Sequence, residues 1–127
     1  MSNLDKVNKD YRYSAEHEWI DSASPAKIGL SQIAVDALGE VVYVDLPEAG
    51  TEVTAGEVCG EVESTKSVSE IYSPVTGTIA EINDSVVDNP GSLNEDPYGA
   101  AWLFTVEVSE EGELLSPEQY AAAQDEG

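Results

Sequence analysis

Two stretches of this 127-residue chain follow the same local plan. One runs Gly39-Glu-Val-Val-Tyr-Val44, then Gly50-Thr-Glu-Val53 and Gly56. The other runs Gly77-Thr-Ile-Ala-Glu-Ile82, then Asp84-Ser-Val-Val87 and Gly91. Each is a β-type run, a turn, a hydrophobic anchor and a glycine. The spacing from anchor to glycine differs by one residue, and two β-rich segments can match this far by chance. If the repeat is genuine, neither half can bury its own apolar face. The two must then cover each other as a quasi-symmetric sandwich. The length suits one domain with a modest core.

The remaining elements fit a mainly β fold with short flanking helices. Tyr11–Tyr13 and Trp19–Asp21 read as short strands around the polar turn Ser14-Ala-Glu-His-Glu18, and Lys27–Leu30 as a third. Ser31 caps a helix over Gln32–Leu38 that turns Val35 and Leu38 to the core, and Gly39 supplies left-handed geometry at its end. Further strands are predicted over Glu40–Leu46, Glu57–Glu63, Val68–Tyr72, Thr76–Asn83 and Leu103–Val108. Alternation in Glu57–Glu63 places Val58 and Val62 on one face. Asn89-Pro-Gly91 and Asp96-Pro-Tyr-Gly99 are turns. Ser116-Pro-Glu-Gln119 is a capping box that starts a helix from Pro117 to about Gln124. Six acids and no base after Ser109 predict a solvated, frayed tail.

Charge narrows the function classes. Five Lys and Arg against 26 Asp and Glu leave a net charge of −21. Such a surface repels phosphate backbones and anionic headgroups, which argues against nucleic-acid and membrane partners. Met1–Asp10 contains no apolar signal core and is not the Arg-rich segment of a transit peptide. One cysteine, Cys59, makes no internal disulfide and suits a reducing compartment, so a cytoplasmic chain is expected. From Ile28 to Gly127 there are 21 acids and one base, Lys66.

Lys66 falls in Ser64-Thr-Lys-Ser67, between two β runs, where four small or polar residues read as a tight hairpin. Its ammonium at the tip points to solvent. It is either an ordinary surface lysine beside Glu63 or Glu70, or a lysine displayed for covalent attachment of an acyl group, which would remove its charge.

These residues resemble the glycine cleavage system H-protein family, whose lipoyl attachment loop looks like Glu63-Ser-Thr-Lys-Ser-Val68. Tyr13-Ser-Ala-Glu-His-Glu-Trp19, Leu38-Gly-Glu-Val-Val-Tyr-Val-Asp-Leu-Pro47, Ser73-Pro-Val-Thr-Gly77 and Asn94-Glu-Asp-Pro-Tyr-Gly-Ala-Ala-Trp102 are similar to the family's other motifs, in the same order. The likeness spans about residues 11 to 124. It implies a flattened β-sandwich of the lipoyl/biotinyl carrier type, a barrel-sandwich hybrid. The implied single carrier domain covers 1–127, with mobile ends at 1–10 and 125–127. It also implies a non-catalytic carrier, with lipoate covalently attached to Lys66 in a loop of Glu63, Ser64, Thr65 and Ser67. The arm would take an aminomethyl group from the pyridoxal-phosphate-dependent glycine decarboxylase (P protein). It would deliver that group to the aminomethyltransferase (T protein), which feeds tetrahydrofolate. Dihydrolipoamide dehydrogenase (L protein) would reoxidise it. A lipoyl ligase or lipoyl/octanoyl transferase would load it, and a monomer is expected. The protein supplies attachment and shelter, and the chemistry belongs to cofactor and partners.

The resemblance further places Glu18, Glu70 and His17 at a cleft for the aminomethyl adduct, where carboxylates stabilise a cationic amine and exclusion of water slows hydrolysis. Glu16 stands where some members have a small hydroxyl, and Ile33 where some carry a histidine. Cys59 reads as a small buried strand residue. A thiol–base couple with His17 has no further orienting signature. One histidine, one cysteine and no calcium-loop spacing give no metal site, and no glycine pattern suggests nucleotide binding. Trp19, Trp102 and the six tyrosines read as core and rim aromatics.

Three alternatives stay open: another swinging-arm carrier, a lipoyl relay, or an unmodified acidic binding module. Biotin carriers place Met on each side of the lysine, where this chain has Thr65 and Ser67. Lipoyl domains of oxoacid dehydrogenases place Asp before it and lack the His17-Glu-Trp19 segment. A lipoyl relay to other enzymes, or an unmodified acidic binding module, would share the hairpin without the glycine cycle.

Overall fold

The computed structural model describes residues 7–112 and 114–126, with side chains described to residue 123. It is mainly β: two antiparallel sheets, not closed into a barrel, with four short helices among the described residues. The larger sheet is ordered β1 (Arg12–Tyr13), β2 (Glu18–Ile20), β3 (Ala26–Leu30), β9 (Phe104–Glu111), β8 (Val75–Ile82) and β5 (Glu52–Val53). The smaller is β4 (Val41–Asp45), β6 (Val58–Ser64) and β7 (Val68–Tyr72). The helices are α1 (Gln32–Leu38), α2 (Asp84–Asp88), α3 (Ser92–Glu95) and α4 (Pro117–Glu126). No described helix is long and apolar enough to cross a membrane.

The two repeated stretches contribute to one core. Val41, Val44 and Val53 of the first join Ile79 and Val86 of the second in a single buried cluster with Leu103 and Phe104. The halves are not equivalent locally. Val53 is anchored on a strand, while Val86 is anchored on α2, whose Asn83 cap accepts from Ser85 N–H and donates to the carbonyls of Ala100 and Trp102. The strand expected to run through Asn83 therefore stops at Ile82.

A second cluster holds the N-terminal strands against α4. Tyr13 stacks on Tyr120 with centroids 4.7 Å apart, and Tyr11 on Trp19 at 4.4 Å. The Trp19 indole donates to the Pro97 carbonyl at 3.0 Å and lies across Gly29, where a Cβ would meet its Nε1 at 2.5 Å. Only a glycine lets the ring seat there.

The mobile ends expected at 1–10 and 125–127 lie partly outside the described residues. Residues 7–10 are tied down: Val7 is buried, and Asn8 exchanges two hydrogen bonds with the Tyr13 hydroxyl. Within the acidic tail after Ser109, the described residues carry the end of β9 and α4. The capping box forms as expected, and α4 buries Tyr120 and Ala121 because their apolar surface has Tyr13 and Trp19 to pack on. The expected pairing of Val58 with Val62 on one face also fails. A bulge between Val58 and Gly60 shifts the alternation, so Val62 is buried and Val58 faces solvent.

Candidate functional site

The last cross-strand pair of β6 and β7 is Glu63 with Val68, and Thr65 and Lys66 stand at the tip of the four-residue loop Ser64–Ser67. Neither takes a left-handed φ, so the mirror-image turn typical of hairpins is absent. The Ser64 side chain supplies the closure. Its Oγ accepts from the N–H groups of Lys66 and Ser67 and donates to the Ser67 carbonyl. The Thr65 N–H donates to the Glu40 carbonyl at 3.0 Å, which seats the hairpin on the segment between α1 and β4. The Asn94 carboxamide fixes that segment, donating to the Gly39 carbonyl at 2.6 Å and accepting from Val41 N–H at 2.9 Å. Gly39 has φ +81° and lies under the lysine stem, where a Cβ would sit 3.3 Å from Lys66 Cε. Lys66 is exposed and makes no ion pair with Glu63 or Glu70.

Beside the hairpin lies a cleft of about 350 Å³ between β7, α1 and the turn after β1. Leu30, Ile33, Ala34 and Leu38 give it apolar walls, and Glu16, His17 and Glu70 give it polar ones. An arm with a hydrocarbon stem and a cationic end fits both surfaces. His17 holds φ +79° in the turn, a conformation uncommon outside glycine. Its Nδ1 is 2.7 Å from the Tyr120 hydroxyl, which lies 2.6 Å from Ser31 Oγ, the cap of α1. Burial lowers the His17 pKa, so the ring facing the cleft is neutral near pH 7.

Glu18 is placed differently from Glu70 and His17. It is fully buried and is not among the residues lining the cleft. Its carboxyl accepts from Ser14 Oγ at 2.6 Å and from Tyr72 N–H at 3.2 Å, joining the large sheet to the small one behind the cleft wall. Burial pushes its pKa up to about 8 against these two donors. Glu16, which the sequence did not assign, lines the cleft instead. Tyr120 went unread because its partner His17 lies 103 residues away and only the capping box hinted that α4 forms. Cys59 is half-buried, and burial, followed by the Glu18 charge, pushes its thiol up to about 12, which removes it as a nucleophile.

Residues 11–127 match the glycine cleavage H-protein family. This chain belongs to that family. A glycine cleavage system H protein of Streptomyces avermitilis is 54% identical over 123 residues, covering 94% of this chain and 95% of the relative. One from Thermobifida fusca is 53% identical over 116 residues, covering 90% and 92%. The crystal structure of a glycine cleavage system H protein from Mycobacterium marinum superposes with a TM-score of 0.90 at 45% identity. That match spans 94% of this chain and 99% of the other. The family carries a lipoyl group, so a carrier role follows from membership.

Proposed function

We propose that this chain is the cytoplasmic lipoyl carrier of a glycine cleavage system, with lipoate in amide linkage to Lys66. The observation that carries the reading is the placement of Lys66. The one base after Ile28 stands exposed and unpaired at a hairpin tip, beside a cleft with apolar walls and carboxylates at its edge. Lipoate bound there would supply the dithiolane that carries an aminomethyl group between glycine decarboxylase and aminomethyltransferase and is reoxidised by dihydrolipoamide dehydrogenase.

The chain's own residues then hold and shelter. Lys66 gives the attachment nitrogen and loses its charge on acylation. Leu30, Ile33, Ala34 and Leu38 cover apolar surface and exclude water. Glu70 and Glu16 stabilise a cationic amine. A neutral His17, held by Tyr120, does not repel one. Glu18 acts through the turn, fixing Glu16 and His17 by way of Ser14.

The test is the intact mass of the protein from its own host, with fragmentation to locate any adduct. A lipoyl increment on Lys66 is the expected result, and Lys66→Arg should carry none. An unmodified Lys66 in the native host refutes the reading and favours an acidic binding module.

A further inference from the structure

The smaller sheet packs one face on the core and leaves the other bare. On the bare face, strand pairing sets Tyr43, Glu63 and Val68 side by side in one row. The row beside it is Asp45, Glu61 and Glu70. Tyr43 is 49% exposed and Val68 57%. Val42, the extra residue of the β4 bulge, and Val58, beside the β6 bulge, are about as open. Four of the six large apolar side chains exposed among the described residues thus stand on three short strands. Apolar surface gathered in one place costs solubility and marks a contact surface. Carboxylates of a single sign run through it, so the complementary surface has an apolar centre edged with Lys and Arg.

We infer that this face docks the enzyme that acylates Lys66. The inference rests on the carrier reading. Lys66 stands at the tip of the hairpin joining two strands of this sheet. An acylating enzyme must bring an activated acyl carbon, in an acyl adenylate or acyl thioester, to bonding distance of Nζ itself. Nζ gives up one proton and forms the amide C–N bond. The adenylate or thiolate departs with its electron pair, and a second proton leaves the nitrogen. The enzyme's body must therefore lie against the strands flanking the hairpin. An enzyme that works on the far end of an attached arm has no such constraint. The cleft adjoins this face along the edge strand β7, where Val68 and Glu70 belong to both, and α1 closes the cleft's far side, so an enzyme body reaching Nζ has the open sheet face to rest on.

The test takes the full chain without lipoate, its host's acylating enzyme and that enzyme's donor, lipoyl adenylate or octanoyl thioester. Initial rates come from intact mass, and Kd from fluorescence anisotropy of the labelled chain. For Tyr43→Ser with Val68→Ser, kcat/KM is expected to fall about tenfold, carried by KM, with Kd rising in step and the melting temperature unchanged. Asp45→Lys with Glu61→Lys should weaken binding and flatten its salt dependence. Val87→Ser, an exposed valine on α2, should change neither rate nor Kd. Wild-type rate and Kd in the double serine variant would overturn the inference. So would a variant loaded normally that fails only in glycine decarboxylation, or a chain dimer that the variant abolishes. A wild-type Lys66 that the enzyme never acylates refutes the carrier reading itself.

Discussion

The N-terminal hairpin with α4 and the three-stranded sheet with Lys66 are built on opposite terms. In the first, Tyr13, Trp19 and Tyr120 are buried, their rings stack, and each of their polar atoms has a partner. In the second, apolar side chains face solvent, carboxylates crowd without cations, and the one lysine is unpaired. The first region spends its apolar surface on stability, and the second leaves it available. A carrier that several enzymes handle gains from that division, since the handled face can vary without loosening the scaffold.

Substitutions can sharpen or break the contrast. Trp19→Ala should have the largest effect on stability, about 3–5 kcal/mol in urea unfolding, because it empties the seat on Gly29 and strands Tyr11. Tyr120→Phe keeps the stacking on Tyr13 and deletes the hydroxyl between His17 and Ser31. A loss of about 1–2 kcal/mol is expected, with a changed imidazole titration by NMR. An unchanged titration would remove Tyr120 from the cleft's support.

Glu18 tests the same region by pH. Its folded pKa of about 8 lies above the ordinary 4.5, so the folded state holds the proton more tightly. Its contribution is full below pH 4.5 and is lost as pH rises through 8. His17 has the opposite sign. Its pKa is lowered from 6.5, so its contribution is present above pH 6.5 and lost as pH falls. Between pH 6.5 and 8 the Glu18 slope stands alone among the described residues, at a limit of about 1.4 kcal/mol per pH unit. Glu18→Gln should flatten that window, at a constant cost of about 1 kcal/mol because the amide offers one acceptor to two donors. An equally sloped curve would place the titration elsewhere. Lys66→Ala should shift stability least, within about 0.5 kcal/mol, while abolishing acylation.

Local chemistry was legible in the sequence. α1 runs from Gln32 to Leu38 under its Ser31 cap, and Gly39 takes the positive φ its position requires. The lysine hairpin lies where its small polar residues placed it. Readings that depended on distant partners were not legible. Val58 faces outward because a bulge between Val58 and Gly60 changes the parity of β6, and Gly60 is the one local signal of it within Glu57–Glu63. α2 and α3 are too short for a period to show. Glu18 and Glu16 sit two residues apart on one turn, and only the position of Tyr72, over fifty residues on, decides which is buried.

The Tyr120 bridge also sets an order of assembly. His17 and Ser31 leave the ribosome early, while the side chain that ties them together is among the last to emerge. β9, which sits between β3 and β8, is almost as late. Every residue that lines the cleft has thus emerged well before the Tyr120 hydroxyl that holds His17. A chain cut short before Tyr120 would leave His17 and Ser31 without the hydroxyl that stands between them.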